Sequence, residues 1–153
     1  MKKQSTDMNK SIERVIISGG GTGGHIFPAI AIADAVRAQY PNAEILFVGA
    51  EGRMEMERVP KAGYKIEGLP VRGLDRKRPW RNFKVLLDFL RSEQKAKKLV
   101  REFNPQVVVG VGGYASAPTL RAAQRLGVPT LIQEQNSFAG KANKMLATRA
   151  KYI

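Results

Sequence analysis

An open parallel α/β sheet with helices on both faces is the fold this sequence predicts, and three observations carry that prediction. Short β-branched runs alternate with longer segments of helical periodicity along most of the chain. Two of the runs open directly into glycine-rich turns, Gly19-Gly20-Gly21-Thr22-Gly23-Gly24 and Gly112-Gly113, which lead into helices. Right-handed crossovers between parallel strands then give a Rossmann-like order 3-2-1-4-5, which brings both turns to one crevice at the carboxyl ends of the first and fourth strands. A length of 153 residues gives room for one domain with a single core.

Taken in order, residues 1–13 are polar, without the apolar segment of a signal peptide, and are expected to be a disordered tail ahead of a domain over 14–153. Arg14 to Ser18 is the first strand; after the glycine turn, Phe27 to Val36 reads as a helix with Pro28 in its first turn, where a missing N–H costs nothing. Glu44 to Val48 is the second strand, Arg53 to Lys61 a short polar helix stopped near Gly63, and Lys65 to Leu69 the third strand. Asp75 to Trp80 is a basic loop. Phe83, Leu86, Leu87 and Leu90 then share one helical face, in a helix running to about Phe103. Gln106 to Val111 is the fourth strand, and a helix from about Ala117 to Leu126 follows the second glycine turn and stops at Gly127. Pro129 to Ile132 is the fifth strand, leading into Gln133-Glu134-Gln135-Asn136. Lys141 to Arg149 is a last helix, and Lys151 to Ile153 has the character of a further strand.

Composition narrows the chemistry. There is no cysteine, no Asp-x-Asp pair and no pair of histidines, so neither a disulfide nor a metal site is expected, and no cofactor is called for. Lys and Arg number 26 against 13 Asp and Glu, a net charge of +13 that calls for an anionic partner. The excess is regional: between Arg72 and Arg101 stand eleven basic residues and three acidic ones. Arg76, Lys77, Arg78, Arg81 and Lys84 fringe Trp80, Phe83 and the leucines there. For most of the leucines a core-facing helix is the safer reading; Trp80 and Phe83 instead point to anchoring on anionic lipid. No nucleic-acid motif accompanies the charge, and nucleic acid is not expected as a partner.

The glycine turn followed by a helix N-terminus suits a diphosphate, since glycines bring backbone N–H groups close to a ligand. His25, the only histidine, is read either as a residue packed at the turn or as a neutral imidazole that accepts a proton. Glu134 is a competing base or a substrate contact; Asn136 and Gln135 can bind sugar hydroxyls or satisfy loop backbone; Tyr114 can line the crevice. Gly19, Gly21 and Gly24 also satisfy the dinucleotide fingerprint G-x-G-x-x-G, with Glu51 beyond the second strand as a candidate ribose-binding acid, so an NAD-type module of an oxidoreductase is the alternative. That motif leaves the second glycine turn without a role.

Together, Gly20-Gly21-Thr22-Gly23-Gly24-His25-Ile26-Phe27-Pro28, Arg53-Met54-Glu55, Val59-Pro60-Lys61, Gly112-Gly113-Tyr114 and Glu134-Gln135-Asn136 closely resemble the bacterial undecaprenyldiphospho-muramoylpentapeptide N-acetylglucosaminyltransferase family over residues 14 to 153. The resemblance implies one half of a GT-B glycosyltransferase: the N-terminal, acceptor-binding domain, with the C-terminal donor-binding domain outside this chain. It implies transfer of N-acetylglucosamine from UDP-N-acetylglucosamine to an undecaprenyl-diphosphate-linked muramyl-pentapeptide in peptidoglycan synthesis, peripherally at the cytoplasmic face of the bacterial inner membrane. By position, Thr22, Gly23, Gly24 and Asn136 match donor contacts, the two glycine turns, including Gly112 and Gly113, match those proposed to hold the acceptor diphosphate, and His25, Tyr114 and Glu134 match positions implicated in activity. The stretch from Arg76 to Leu90 falls where the family is thought to touch the membrane. Gln133 departs from members with histidine there, so a base at that position is not expected. An isolated half is expected to turn over little or not at all.

Overall fold

The computed structural model describes residues 11–73 and 77–153. Five parallel strands, β1 (Arg14–Ser18), β2 (Glu44–Ala50), β3 (Lys65–Leu69), β4 (Val107–Gly110) and β5 (Thr130–Ile132), form one sheet in the order β3-β2-β1-β4-β5. This is the expected switch-point topology, with β1 pairing β2 on one side and β4 on the other. Tyr152 continues the pattern as a parallel bridge to Leu131.

Period-2 alternation divides the core into two layers. Ile16, Val48 and Val108 face one side of the sheet, against Ala96, Val100 and Leu120 of the helices α3 (Asn82–Phe103) and α4 (Ser116–Arg125). Val15, Ile17, Phe47 and Val109 face the other, against Ala29 and Ala33 of α1 (Gly23–Gln39) and Val59 of α2 (Glu55–Lys61). A strand buried on both faces must be apolar at consecutive positions, which is why β1 reads Val-Ile-Ile.

Three expectations are corrected. Helix α1 begins at Gly23 rather than Phe27, because Thr22 is extended and its carbonyl accepts the N–H groups of His25 and Ile26 at 3.1 and 3.2 Å. Pro28 is therefore inside the helix. Second, Phe83, Leu86, Leu87 and Leu90 do not face the core: they are 72, 55, 38 and 49% exposed. The inward face of that half of α3 carries Asp88, Ser92 and Glu93. Glu93 is paired with Arg121, at 3.4 Å, and with Arg125, both on α4. Asp88 is paired with Arg72 at 3.4 Å and Arg91 at 3.8 Å. Buried acids are tolerated only with such partners, and here the partners fix which side of α3 turns inward. Third, Ser11 to Glu13 are tethered to β4's approach: the Gln106 side chain accepts from the Glu13 N–H at 2.6 Å and donates to the Ser11 carbonyl at 3.1 Å. The rest of the expected tail lies outside the described residues, as does Arg76.

Smaller differences concern boundaries. A 3₁₀ turn over Pro79–Arg81 precedes α3, β2 runs on to Ala50, and the last helix, α5, spans Lys141–Ala147.

Tyr64 closes the α1 side of the core. Its hydroxyl donates to Asp34 while the Arg37 guanidinium lies 4.0 Å above its ring. Burial, with the Asp34 hydrogen bond adding to it and Arg37 opposing it, pushes the Tyr64 hydroxyl up to about 12 from 10.0. A folded-state value raised above the unfolded one gives stability that is whole below about pH 10 and is lost as pH rises through about 12. Chemical denaturation of Tyr64→Phe is expected to show a flatter stability profile over that interval than the parent chain. An unchanged alkaline slope would contradict the assignment.

Candidate active site

The site assembles at the carboxyl ends of β1, β4 and β5. Beyond Ser18 the chain runs Gly19-Gly20-Gly21, and each N–H there is directed into the protein: Gly19 to the Val48 carbonyl at 3.2 Å, Gly20 to the Gly112 carbonyl at 3.2 Å, and Gly21 to the Glu55 carboxylate at 2.9 Å. These three glycines are therefore not themselves a phosphate cradle. Gly23 and Gly24 stand instead in the first turn of α1, where N–H groups have no acceptors within the helix and can serve an anion.

Glu55, which sequence patterning places only within a polar helix, organises the turn from below. It is 1% exposed, accepts from Gly21 and from the Ala50 N–H at 2.9 Å, and lies where a Cβ on Gly20 would stand 2.3 Å from its carboxyl carbon. Helical propensity carries no trace of this role; only the end of β2 pointing at the glycine turn could have signalled it.

The second glycine turn packs backbone to backbone on the first. A Cβ on Gly113 would lie 2.0 Å from the Gly20 carbonyl oxygen, and one on Gly112 would lie 2.7 Å from Cδ2 of His25. The absence of side chains thus lets the His25 ring lie against the β4 turn. Thr22, at the N-cap, does not cap with its hydroxyl; its Oγ1 is 3.0 Å from Nδ1 of His25. The capping bond is given up to orient the imidazole, leaving Nε2 on the Gly112 side.

From β5 the third loop supplies Glu134, Gln135 and Asn136. Glu134 accepts from the backbone N–H of Asn136 at 3.1 Å, from Asn136 Nδ2 at 2.9 Å and from Asn143 Nδ2, on α5, at 2.9 Å. The Asn136 backbone N–H, followed by the Asn143 and Asn136 amides and the Gly140 N–H, outweighs burial and holds its carboxyl below the usual glutamate range. Such a carboxylate is already committed to its donors and fixes Asn136 and α5 in place. Gln135 donates its amide to the Gly24 carbonyl at 2.9 Å.

His25, Gly112, Gly113, Glu134, Asn136 and Asn143 line one cavity of about 230 Å³. Residues from three loops, separated by more than a hundred positions, are thus brought together as the topology requires. Tyr114 stands apart from them: its ring lies beside Gly21 and Gly73, with the Arg53 guanidinium 5.5 Å above it. Among the described residues no group of three or more His, Cys, Asp or Glu side chains could hold a metal ion. Glu51, the candidate ribose-binding acid, is paired at 3.2 Å with Lys95.

A family model described as the glycosyltransferase family 28 N-terminal domain matches residues 15–153. A UDP-N-acetylglucosamine–N-acetylmuramyl-(pentapeptide) pyrophosphoryl-undecaprenol N-acetylglucosamine transferase from Bacteroides fragilis is 66% identical over 140 residues, covering 92% of this chain and 37% of its own length. The protein of the same name from Cytophaga hutchinsonii is 59% identical, covering 92% of this chain and 38% of itself. Among solved structures, Acinetobacter baumannii MurG superposes with a TM-score of 0.79 at 30% identity, over 91% of this chain and 40% of that one. The Streptomyces glycosyltransferase SsfS6, at 20% identity and a TM-score of 0.62, shares the fold. The chain spans less than two fifths of the length of these curated relatives.

Proposed function

Because the chain belongs to glycosyltransferase family 28, with residues 15–153 as its N-terminal domain, we propose that it is the acceptor-binding half of the enzyme that moves N-acetylglucosamine from UDP-N-acetylglucosamine onto the lipid-linked muramyl-pentapeptide of peptidoglycan synthesis. The observation that carries this reading is the shared cavity of His25, the two glycine turns and the Glu134–Asn136 loop at the switch point of the sheet. At about 230 Å³ it is below the roughly 300–1,000 Å³ of a complete ligand pocket. It suits the diphosphate and the reacting edge of one sugar, with the donor held from across a cleft by the rest of the enzyme. Isolated, this half is expected to turn over little or not at all.

In that arrangement His25, oriented through Nδ1 by Thr22, takes the proton of the acceptor 4-hydroxyl at Nε2. The hydroxyl oxygen attacks the donor sugar carbon, which passes through oxocarbenium-like charge as UDP leaves with inversion. No covalent enzyme intermediate forms. Gly23 and Gly24 at the α1 N-terminus, with Gly112 and Gly113, serve the diphosphates; Thr22 and Asn136 face the donor. Glu134 holds Asn136 and leaves the proton transfer to His25. Tyr114 flanks the first glycine turn from the Arg53 side. The oxidoreductase alternative is not supported: the family match absorbs the glycine fingerprint, and Glu51 is engaged by Lys95.

The same half meets the membrane through α3. Trp80 and Phe83 are 75 and 72% exposed, and Leu86, Leu87 and Leu90 continue their face, among Lys77, Arg78, Arg81 and Lys84. Between α3, α4 and α5 a cavity of about 780 Å³ is walled by Phe89, Met145 and Leu146 and edged by Arg121, Arg125 and Arg149. No helix among the described residues is long and apolar enough to cross a membrane; the contact is proposed as one of apolar side chains and cations at the surface, each cation worth about 1 kcal/mol near an anionic bilayer. Trp80 is the only tryptophan, which makes it a reporter. Anionic phosphatidylglycerol vesicles are expected to shift its emission to the blue, and Phe83→Ser with Leu87→Ser to weaken binding about tenfold or more. Emission indifferent to anionic vesicles would contradict the membrane contact.

A further inference from the structure

Pro28 leaves a gap in α1. As the sixth residue of that helix it has no N–H to give the carbonyl of Gly24, four residues back, and that carbonyl lies in the first turn beside His25. A side chain from the far end of the sequence fills the gap: Nε2 of Gln135 donates to the Gly24 carbonyl at 2.9 Å, across 111 positions. On either side of Gln135, Glu134 is held by Asn143 of α5 and Asn136 is held by Glu134. The loop after β5 is therefore fastened to α5 through Glu134 and to α1 through Gln135.

We infer that Gln135 is a positioning residue: its bond to the carbonyl freed by Pro28 sets the distance between His25 on α1 and Asn136 on the β5 loop, the two walls of the shared cavity. A glutamine bound in this way has one of its two amide N–H groups committed to backbone, which fixes the direction of the whole amide. The proline is part of the device. With a residue bearing an N–H at position 28, the Gly24 carbonyl would be served within the helix, and Gln135 would lose its exclusive hold on it. The kinetic consequence rests on the transferase reading; the structural one does not.

The test is a double-substitution cycle of Gln135→Ala and Pro28→Ala. In this chain Gln135→Ala is expected to lower the folding equilibrium constant about fivefold with Pro28 present, the size of one hydrogen bond, and about twofold or less when Pro28→Ala is already in place. His25 is the only histidine, so its imidazole resonances need no assignment; they are expected to move with Gln135→Ala and with Gln135→Glu, which keeps the shape and loses the donor. In the complete transferase, Gln135→Ala is expected to lower kcat about tenfold with the KM for UDP-N-acetylglucosamine unchanged. Equal stability costs of Gln135→Ala with and without Pro28→Ala, together with unmoved His25 resonances, would overturn the inference. A raised KM with unchanged kcat would likewise overturn it and make Gln135 a substrate contact. The stability and imidazole measurements use no substrate, so they stand or fall apart from the transferase reading.

Discussion

His25→Ala is expected to abolish most of the turnover of the complete transferase, by about a hundredfold to ten-thousandfold in kcat, the range of a lost general base. The expectation follows from the geometry around the ring. Thr22 Oγ1 holds Nδ1 at 3.0 Å, the missing Cβ of Gly112 makes room for the other edge, and the ring lies on the cavity that Asn136 also lines. The imidazole is half-buried and has no core role, so the chain's free energy of unfolding should change by no more than a surface substitution allows, about 0.5 kcal/mol. Steady-state assays with labelled UDP-N-acetylglucosamine measure the first quantity and urea denaturation the second. Turnover within tenfold of the parent would move the base elsewhere.

The largest effect on stability is expected from Gly113→Ala. The residue has φ +88°, and an added Cβ would stand 2.0 Å from the Gly20 oxygen and 2.8 Å from its carbon and nitrogen, all backbone. No side chain can rotate away to relieve that contact, so the two glycine turns must part and the Gly20–Gly112 hydrogen bond must break. A cost of about 3–5 kcal/mol is expected, among the largest that single substitutions produce. Gly24→Ala serves as the contrast: its Cβ would meet only Thr22 Oγ1, at 3.8 Å, inside a helix that favours alanine. Denaturation of both variants should give a large loss for the first and none for the second.

The sheet was legible because its central strands β1 and β4 are buried on both faces and so announce themselves as β-branched runs, whereas the edge strand β3, with Lys65 and Glu67 exposed, is a weaker signal. Two glycine turns after strands one and four also point to a switch point between them. The identity of the loops that meet there followed from that topology alone. The start of α1 was not legible, since Gly23-Gly24 has poor helical propensity and only the extended Thr22 and its twice-used carbonyl impose the helix. Nor was the rotation of α3. Its leucines have the spacing of a core face, and they turn outward because Arg121 and Arg125, on another helix, draw Glu93 inward. The role of Glu55 was hidden for the same reason, since it acts through backbone groups of the glycine turn and of β2's end. For Gln135 a bond to backbone was legible as one alternative, but its partner, Gly24 across 111 positions, was not. Periodicity reports what a segment does with its own neighbours, and these residues answer to distant ones.

The most direct test of the acceptor reading is a titration of this chain with lipid-linked muramyl-pentapeptide diphosphate bearing a shortened prenyl chain, following the single imidazole and the Asn136 amide by NMR, with NAD in a parallel series. Saturable shifts at both residues with the muramyl diphosphate, and none with NAD, are the predicted result. Unmoved resonances with the muramyl diphosphate, or equal shifts with NAD, would contradict the account.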